Sequence, residues 1–474
     1  MNPPSPKYNI LFAKWCLSSW PFLKQTERLL LKIDYFNTLT TTPAKLRTMK
    51  NIFIIPVIAL FLISCETKNA SKAVVEQDNT IVVGKKEQIF SDILQEDREI
   101  WVHLPESAMD EATETAAYPV LYLLDGDAHF YSVTGMIKQL STTNGNTVSP
   151  EMIIVGIPNT DRTRDLTPTH VDEMFGDTIF PKTSGGGNNF LDFLEKELIP
   201  HIEKTYPASD YRTFVGHSFG GLAVINALLE RPYLFNNYVS IDPSLWWDDK
   251  KLLNKAEKVF AENNYEGKAL FVGVANTMDE GMRINEVEQD TSEGTDHIRS
   301  ILQFAKATEA MEDNGLNFDW KYYDNDSHGS VPLITEYDAV RFLFPWYELK
   351  GLNKFFDPSS TTSVDELMTL IDSHYEKVSS NFGYKVLPPE PFINGLGYAF
   401  IDDPKTQDKA NALFSMNVQN YPNSSNVYDS MGDCYLAQQD SVKALELFKK
   451  ALEVGDNEYS QGKIDMLESE LKIE

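Results

Sequence analysis

Gly216-His217-Ser218-Phe219-Gly220 sets a serine between two glycines in the pattern G-x-S-x-G. A serine hydroxyl is a weak nucleophile and attacks only when a neighbouring base takes its proton. The pattern carries that chemistry where a strand runs straight into a helix through a tight turn with the serine at its apex. The apolar stretch "YRTFVGHS" reads as such a strand, and "GGLAVINALLERP" as the helix. Flanking glycines let strand and helix approach where a Cβ would clash. A glycine-rich turn with an inert serine is the plainer alternative, and the strand–turn–helix context favours the nucleophile.

The base must come from eight histidines, at 103, 129, 170, 201, 217, 297, 328 and 374. In a strand–turn–helix site of this kind the chain order is serine, acid, histidine, with the histidine in the loop after the last strand. His328 in "YYDNDSHGSVP" holds that place. His217 is adjacent to the nucleophile, so its side chain should point elsewhere, and His297 reads as structural or substrate-facing on a helix. An acid that orients the imidazole and stabilises its cation is expected after the strand "KALFVGVAN". Asp279 is favoured there, with Glu280 beside it and Asp290 and Asp296 later. Asn276 sits where the strand should end, so a serine–histidine pair without an acid is the second possibility. Two backbone donors are needed for a developing oxyanion. Phe219 supplies one. Asp127, after the strand "VLYLLDGD", is chosen for the other, with Gly126 as the alternative.

These residues need a scaffold, and residues 80 to 350 provide alternating strands and helices. "EIWVHLP" alternates like an early strand, whereas "YPVLYLLDGD" and "EMIIVGIP" are continuous apolar runs, as in strands buried on both faces. "NFLDFLEKELIPHIEKTYP" has helical spacing, "NNYVSIDPS", "KALFVGVAN" and "FDWKYYDND" read as further strands, and "DHIRSILQFAKATEAMEDNG" as a helix between the last two. The alternation implies an α/β class protein with a mostly parallel sheet covered on both faces. After a linker, "DPSSTTS", the chain becomes helical with a period of about 34 residues: Gly397 and Gly432, and Phe414 and Phe448, are its repeated positions. The second unit, with Tyr428, Met431, Gly432, Tyr435, Ala444 and Phe448, resembles the tetratricopeptide pattern. Two such units are expected to dock on the preceding domain or on a protein partner.

"MKNIFIIPVIALFLISC" (49–65) has a basic start and an apolar run too short to span a bilayer stably, which suits a signal peptide. Its end resembles the lipobox of bacterial lipoproteins, which implies lipidation of Cys65 and a cell-envelope location, on the periplasmic face or outer membrane. "ETKNASKAVVEQDNT" then reads as a tether. Met49-Lys50 is a natural start, so residues 1–48 read as an upstream over-extension. The full chain carries a net charge of −28, which argues against nucleic acid. Removing residues 1–64 takes away eight Lys/Arg and two Asp/Glu, so the mature protein is more acidic still and should stand off an anionic membrane surface. Three cysteines are too few for a disulfide framework. No cofactor or metal is expected, since no H-E-x-x-H type spacing occurs.

"YPVLYLLDGD", "GHSFGG", "DPSLWW" and "SHGSVP" occur in this order, and together they resemble the esterase D family of α/β-hydrolases over residues 85 to 350. That resemblance implies an α/β-hydrolase fold, a nucleophile at Ser218 and a base at His328, and it leaves the acid open because members differ there. Trp246 and Trp247 fall where the siderophore-esterase branch carries a similar Ser-Pro-Ser-x-Trp-Trp stretch near its pocket; an aromatic wall there would suit a flat acyl group. The loop 159–189 is expected to shape the rest of the pocket, with Arg162 and Arg164 more readily solvated than substrate-facing. The resulting organisation is a signal peptide at 49–64, a tether at 65–80, an α/β-hydrolase domain at 81–355, a linker and helix at 356–389 and small all-α tetratricopeptide-like repeats at 390–474. The expected activity is a lipid-anchored serine esterase acting on a small-molecule ester. A non-catalytic binding lipoprotein whose repeats recruit a partner, or an acyltransferase, is the alternative.

Overall fold

The computed structural model describes residues 80–109, 117–174, 176–311, 314–357 and 361–471. Cys65, the signal peptide, most of the tether and residues 1–48 lie outside them. Strands β1 (Lys85–Ser91) and β2 (Glu96–His103) form an antiparallel hairpin. β3 (Tyr118–Leu124) leads into α1 (Gly126–Ser141), and β4 (Ile153–Ile157) into the short α2 (Arg162–Leu166). α3 (Gly187–Phe193) continues through a π-turn (Leu194–Leu198) into α4 (Ile199–Thr205). Next come β5 (Ala208–His217), α5 (Phe219–Glu230), β6 (Asn237–Ile241), α6 (Trp247–Glu262) and β7 (Ala269–Ala275). α7 (Asp296–Glu309), β8 (Asn317–Tyr323) and α8 (Val331–Leu343) complete the α/β part.

The eight strands make one sheet in the order β1-β2-β4-β3-β5-β6-β7-β8. β2 pairs antiparallel with β1 and β4, and all later pairings are parallel. Every residue of β3, β4, β6 and β7 is buried, as parallel strands covered on both faces require. One apolar core lies between the sheet and α3–α7, and a second lies under α1 and α8. In such a sheet the open ends of the strands face a crevice at their carboxyl side. The loops after β3, β5, β6, β7 and β8 therefore converge there. The β1–β2 hairpin adds an antiparallel edge to the sheet.

The remainder is helical: α9 (Val364–Phe382), α10 (Glu390–Phe400), α11 (Gln407–Asn420), α12 (Ser425–Ala437), α13 (Ser441–Val454) and α14 (Glu458–Leu471). Ser363 and Glu366 close a capping box at the start of α9. Its far end docks on the α/β part, where Phe382 packs edge-on against Tyr211 at 4.9 Å and Trp346 at 5.0 Å. Its near end, through Leu367 and Ile371, belongs to the core of the helical region. The period of the sequence has a packing counterpart. A Cβ on Gly397 would lie 2.6 Å from the Phe414 ring, and one on Gly432 would lie 2.5 Å from the Phe448 ring. At both positions only hydrogen leaves room for the partner ring. No described helix is long and apolar enough to cross a membrane.

Candidate active site

β5 ends in the middle of the sheet, and α5 begins one residue later. Ser218 is the junction, at φ 60° and ψ −114°, a conformation that L-residues rarely adopt and that clusters at functional turns. Gly216 is obligatory here, since a Cβ on it would meet the Gly220 carbonyl oxygen at 2.4 Å, whereas one on Gly220 would come no closer than 3.3 Å to the Asp125 carboxyl. Three backbone hydrogen bonds hold the strained turn. The Ser218 amide donates to the Ile241 carbonyl at 2.9 Å, and its own carbonyl accepts from Leu222 at 2.9 Å and Ser244 at 3.1 Å. Ser218 Oγ lies 3.2 Å from Ser244 Oγ. With Ser244 donating in that pair, the proton of Ser218 is left for a base.

His328 stands in the loop between β8 and α8, as the sequence implied. Its Nδ1 lies 2.6 Å from Asp242 Oδ2. Asp242 follows β6, with φ 42°, and its side chain is wholly buried. The second carboxyl oxygen, Oδ1, accepts from the Ala275 amide at 2.9 Å. Burial opposes ionisation, but hydrogen bonds from His297, His328 and the Ala275 amide outweigh it and hold the carboxyl well below the usual range. An ionised carboxylate only accepts, so His328 Nδ1 carries hydrogen and Nε2 keeps its lone pair, the form a base needs. His217 stays neutral: burial, then the neighbouring His328, lowers it to about 4. Its ring packs 4.4 Å from that of His328, and it acts as a wall for the base.

Asp279 is not part of this group. Asp279 and Glu280 are exposed in the loop after β7, Asp290 accepts from Ser292 and Thr295, and Asp296 pairs with Lys250. The acid that meets His328 comes one strand earlier than expected. Asn276, where an acid was sought, instead braces the base loop. Its amide donates to Asp326 at 2.8 Å and its side chain to Asp324 at 3.0 Å. A signal for Asp242 existed in "IDPSLWW": an ionisable group at the end of an apolar strand, where the resembling branch has the first serine of its Ser-Pro-Ser stretch.

Both candidate oxyanion donors start helices from adjacent parallel strands, β3 and β5. Phe219 opens α5, and Gly126 and Asp127 open α1, so their amides have no acceptor within the helix. Asp125 precedes them in the left-handed region at φ 52°. Arg162 clamps this arrangement. It donates to both Asp125 carboxyl oxygens, at 2.7 and 3.0 Å, and to the His217 carbonyl at 3.1 Å. It therefore ties the loop after β3 to the residue before the nucleophile. Arg164 is likewise paired, with Glu96 and Asp165, and the fully buried Arg98 joins the same carboxylates, anchoring α2 to β2. Neither arginine of the loop is simply solvated. Arg162→Met is expected to lower kcat by about tenfold or more with KM little changed, because small misplacements of oxyanion donors are costly; steady-state kinetics check it.

The two tryptophans separate. Trp247 is 2% exposed, donates its indole N–H to the Thr169 carbonyl at 3.1 Å and packs edge-on against Phe219 at 5.1 Å. It is core. Trp246 is half-buried, 6.2 Å from Phe219. Phe180, from the loop 159–189, is half exposed and stacks over Phe219 at 6.3 Å. Trp246 and Phe180 thus put aromatic surface beside the nucleophile. Asp242, His297 and His328 also bring three metal-capable atoms within 4.8 Å of one another. Their contacts of 2.6 and 2.9 Å have hydrogen-bond lengths, and the three groups satisfy one another as an acceptor with two donors.

A mostly parallel sheet with a strained serine at the end of its central strand, a histidine after the last strand and a buried aspartate between them defines an α/β-hydrolase-type site. The comparisons narrow the class. A family model described as "Putative esterase" matches residues 91–324. An IroE-like serine hydrolase from Shewanella oneidensis is 31% identical, with a TM-score of 0.58 over 71% of this chain and 99% of its own. The ferri-bacillibactin esterase BesA of Bacillus subtilis is 28% identical over 48% of this chain and 79% of its own. A siderophore enterobactin esterase of Emericella nidulans is 32% identical over 32% of this chain. The chain spans about half the length of that relative, 52%. The chain belongs to this esterase family.

Proposed function

We propose that the protein is a serine esterase acting on siderophore-like esters with flat aromatic acyl groups, held at the bacterial envelope through Cys65. The contact that carries the reading is His328 Nδ1 to Asp242 Oδ2 at 2.6 Å, beside a serine locked at φ 60°. Ser218 Oγ attacks the ester carbonyl as His328 Nε2 takes its proton. The Phe219 amide and a first-turn amide of α1, at Asp127 or Gly126, receive the oxyanion. Collapse returns the proton to the departing alkoxide and leaves an acyl-serine. Water, deprotonated by the same imidazole, then releases the acid. Trp246 and Phe180 offer aromatic faces to the acyl group. The curated relatives named above, esterases of enterobactin and of ferri-bacillibactin, support the substrate class.

A fluorophosphonate probe is expected to label Ser218 in the parent and nothing in Ser218→Ala. On a panel of a tricatechol trilactone, a feruloyl ester, S-formylglutathione and p-nitrophenyl acetate, the trilactone should give the highest kcat/KM. A parent that leaves Ser218 unlabelled rules the nucleophile out, and a preference for S-formylglutathione rules the substrate class out. The anchor is tested separately, by the mass of the mature N-terminus. The helices after residue 390 are read as tetratricopeptide-like on the matched Gly397–Phe414 and Gly432–Phe448 packing.

A further inference from the structure

His297 takes no part in the proton transfers above, yet it is built into the centre. Its Nε2 lies 2.9 Å from Asp242 Oδ2, the same oxygen that His328 Nδ1 approaches at 2.6 Å. Its ring stands 5.3 Å from that of His328, almost perpendicular to it. We propose that His297 is a positioning residue for the reaction at Ser218, fixing the Asp242 carboxylate and limiting its hold on His328. The inference rests on the esterase reading of this site.

The geometry gives the reason. Asp242 neither faces substrate nor is held by bulk water, because its side chain has no exposed surface. A carboxylate turns easily about its last torsion, which has a broad profile. Among the described residues Oδ1 is held by the Ala275 amide alone, so Oδ2 needs a second fixed donor if His328 is to move during catalysis. His297 supplies it from the first turn of α7, whose Ile298, Ile301 and Leu302 are buried in the core. The carboxylate is acceptor-only, so His297 presents Nε2–H to it. Two N–H donors then share one oxygen, and each draws on the charge that would otherwise stabilise the His328 imidazolium alone.

The charged and titratable neighbours are few. His328 faces Asp242, His297 and the neutral His217 at the end of β5. On α7 itself, Asp296 is engaged by Lys250 at 2.7 Å and Arg299 at 3.0 Å. Removing the His297 donor leaves the charge on Oδ2 to His328 alone, which favours its imidazolium form. The acid limb of the activity profile should then move to higher pH.

The test compares His297→Leu with His297→Gln, whose side-chain amide can donate toward Asp242. Melting temperature, kcat, KM and the pH dependence of kcat/KM are measured on the full chain, with fluorophosphonate labelling of the parent as the control for the site itself. His297→Leu should lose about ten- to a hundredfold in kcat, keep its KM and shift the acid limb upward. His297→Gln should recover most of the rate and return the limb toward the parent. Unchanged kcat with an unmoved limb in His297→Leu, or equal losses in both variants, overturns the inference while leaving the esterase reading intact. A parent in which Ser218 is not labelled overturns both.

Discussion

Asp242→Asn is expected to lower kcat by about a thousand- to ten-thousand-fold, the cost of the same exchange in a serine-protease triad, whereas Asp279→Asn should leave kcat unchanged. The asymmetry follows from hydrogen-bond roles. Asp242 Oδ2 receives His328 Nδ1 at 2.6 Å and His297 Nε2 at 2.9 Å, and Oδ1 receives the Ala275 amide at 2.9 Å. Every group around the carboxylate is a donor. Asparagine keeps one acceptor oxygen and replaces the other with an NH2 that can only donate. If the oxygen stays with the Ala275 amide, the NH2 faces two imidazole N–H groups. His328 then relieves the clash by moving its proton to Nε2, the atom that must accept from Ser218. Geometry is preserved and the tautomer is wrong, so KM should hardly move while kcat collapses. Asp279 is exposed, has no contact with either ring, and its exchange changes a solvated surface group. Steady-state kinetics of both variants on one ester suffice. Equal activity of Asp242→Asn and the parent would mean that the imidazole needs no acid, the serine–histidine pair that Asn276 first suggested.

The sequence and the fold agree where the signals are local. Ser218, His328 and the strand-to-helix turn were readable because apolar runs, glycine spacing and chain order all point the same way. The strands read between 99 and 326, and the helices read at 189–207, after Ser218 and from 296, fall close to where the patterns put them, whereas α1, α2 and α6 were not read. The acid was missed because chain order alone does not say which strand end lies nearest the base. β6 and β7 are neighbours in the sheet, so either can deliver a carboxylate under the same loop, and only the register decides. Trp247 could not be told from Trp246 because the two are adjacent in sequence and differ in what α6 turns toward the core. Arg162 and Arg164 looked like solvated loop residues because their partners, Asp125, Glu96 and Asp165, are separated from them by up to two strands of sequence or lie where a short pattern gives no direction. The β1–β2 hairpin went half unseen, since Lys85–Ser91 is an edge strand with alternating exposure and weak apolar content.

Glu336→Gln is expected to stabilise the protein at high pH by up to about 5 kcal/mol and to have little effect near pH 4. Glu336 lies on α8, is 4% exposed, and faces a small apolar cavity lined by Val133, Met136, Val340, Leu343 and Phe344. Neither of its carboxyl oxygens has a hydrogen-bond partner among the described residues. Burial therefore pushes its pKa up to about 8 from an ordinary 4.5. Below pH 4.5 the acid is protonated in both folded and unfolded chains and contributes no slope. Between 4.5 and 8 the unfolded chain releases the proton and the folded chain keeps it, so stability falls as pH rises through that window. Above about 8 the folded chain ionises too and the loss levels off. Each unit of separation is worth about 1.4 kcal/mol, and water entering the cavity would reduce the total. Glutamine cannot ionise, so its unfolding free energy should lack the slope; Glu336→Met should lack it as well and also remove an unpaired polar group. Urea unfolding of parent and variants at pH 4 and pH 9 reads the difference directly. Parallel curves at the two values would mean that the carboxylate finds a charged partner or solvent when it ionises. The result bears on catalysis because α8 begins three residues after His328. Charge forced into the cavity loosens the helix that anchors the base loop, so activity lost above pH 8 in the parent should be retained by Glu336→Gln.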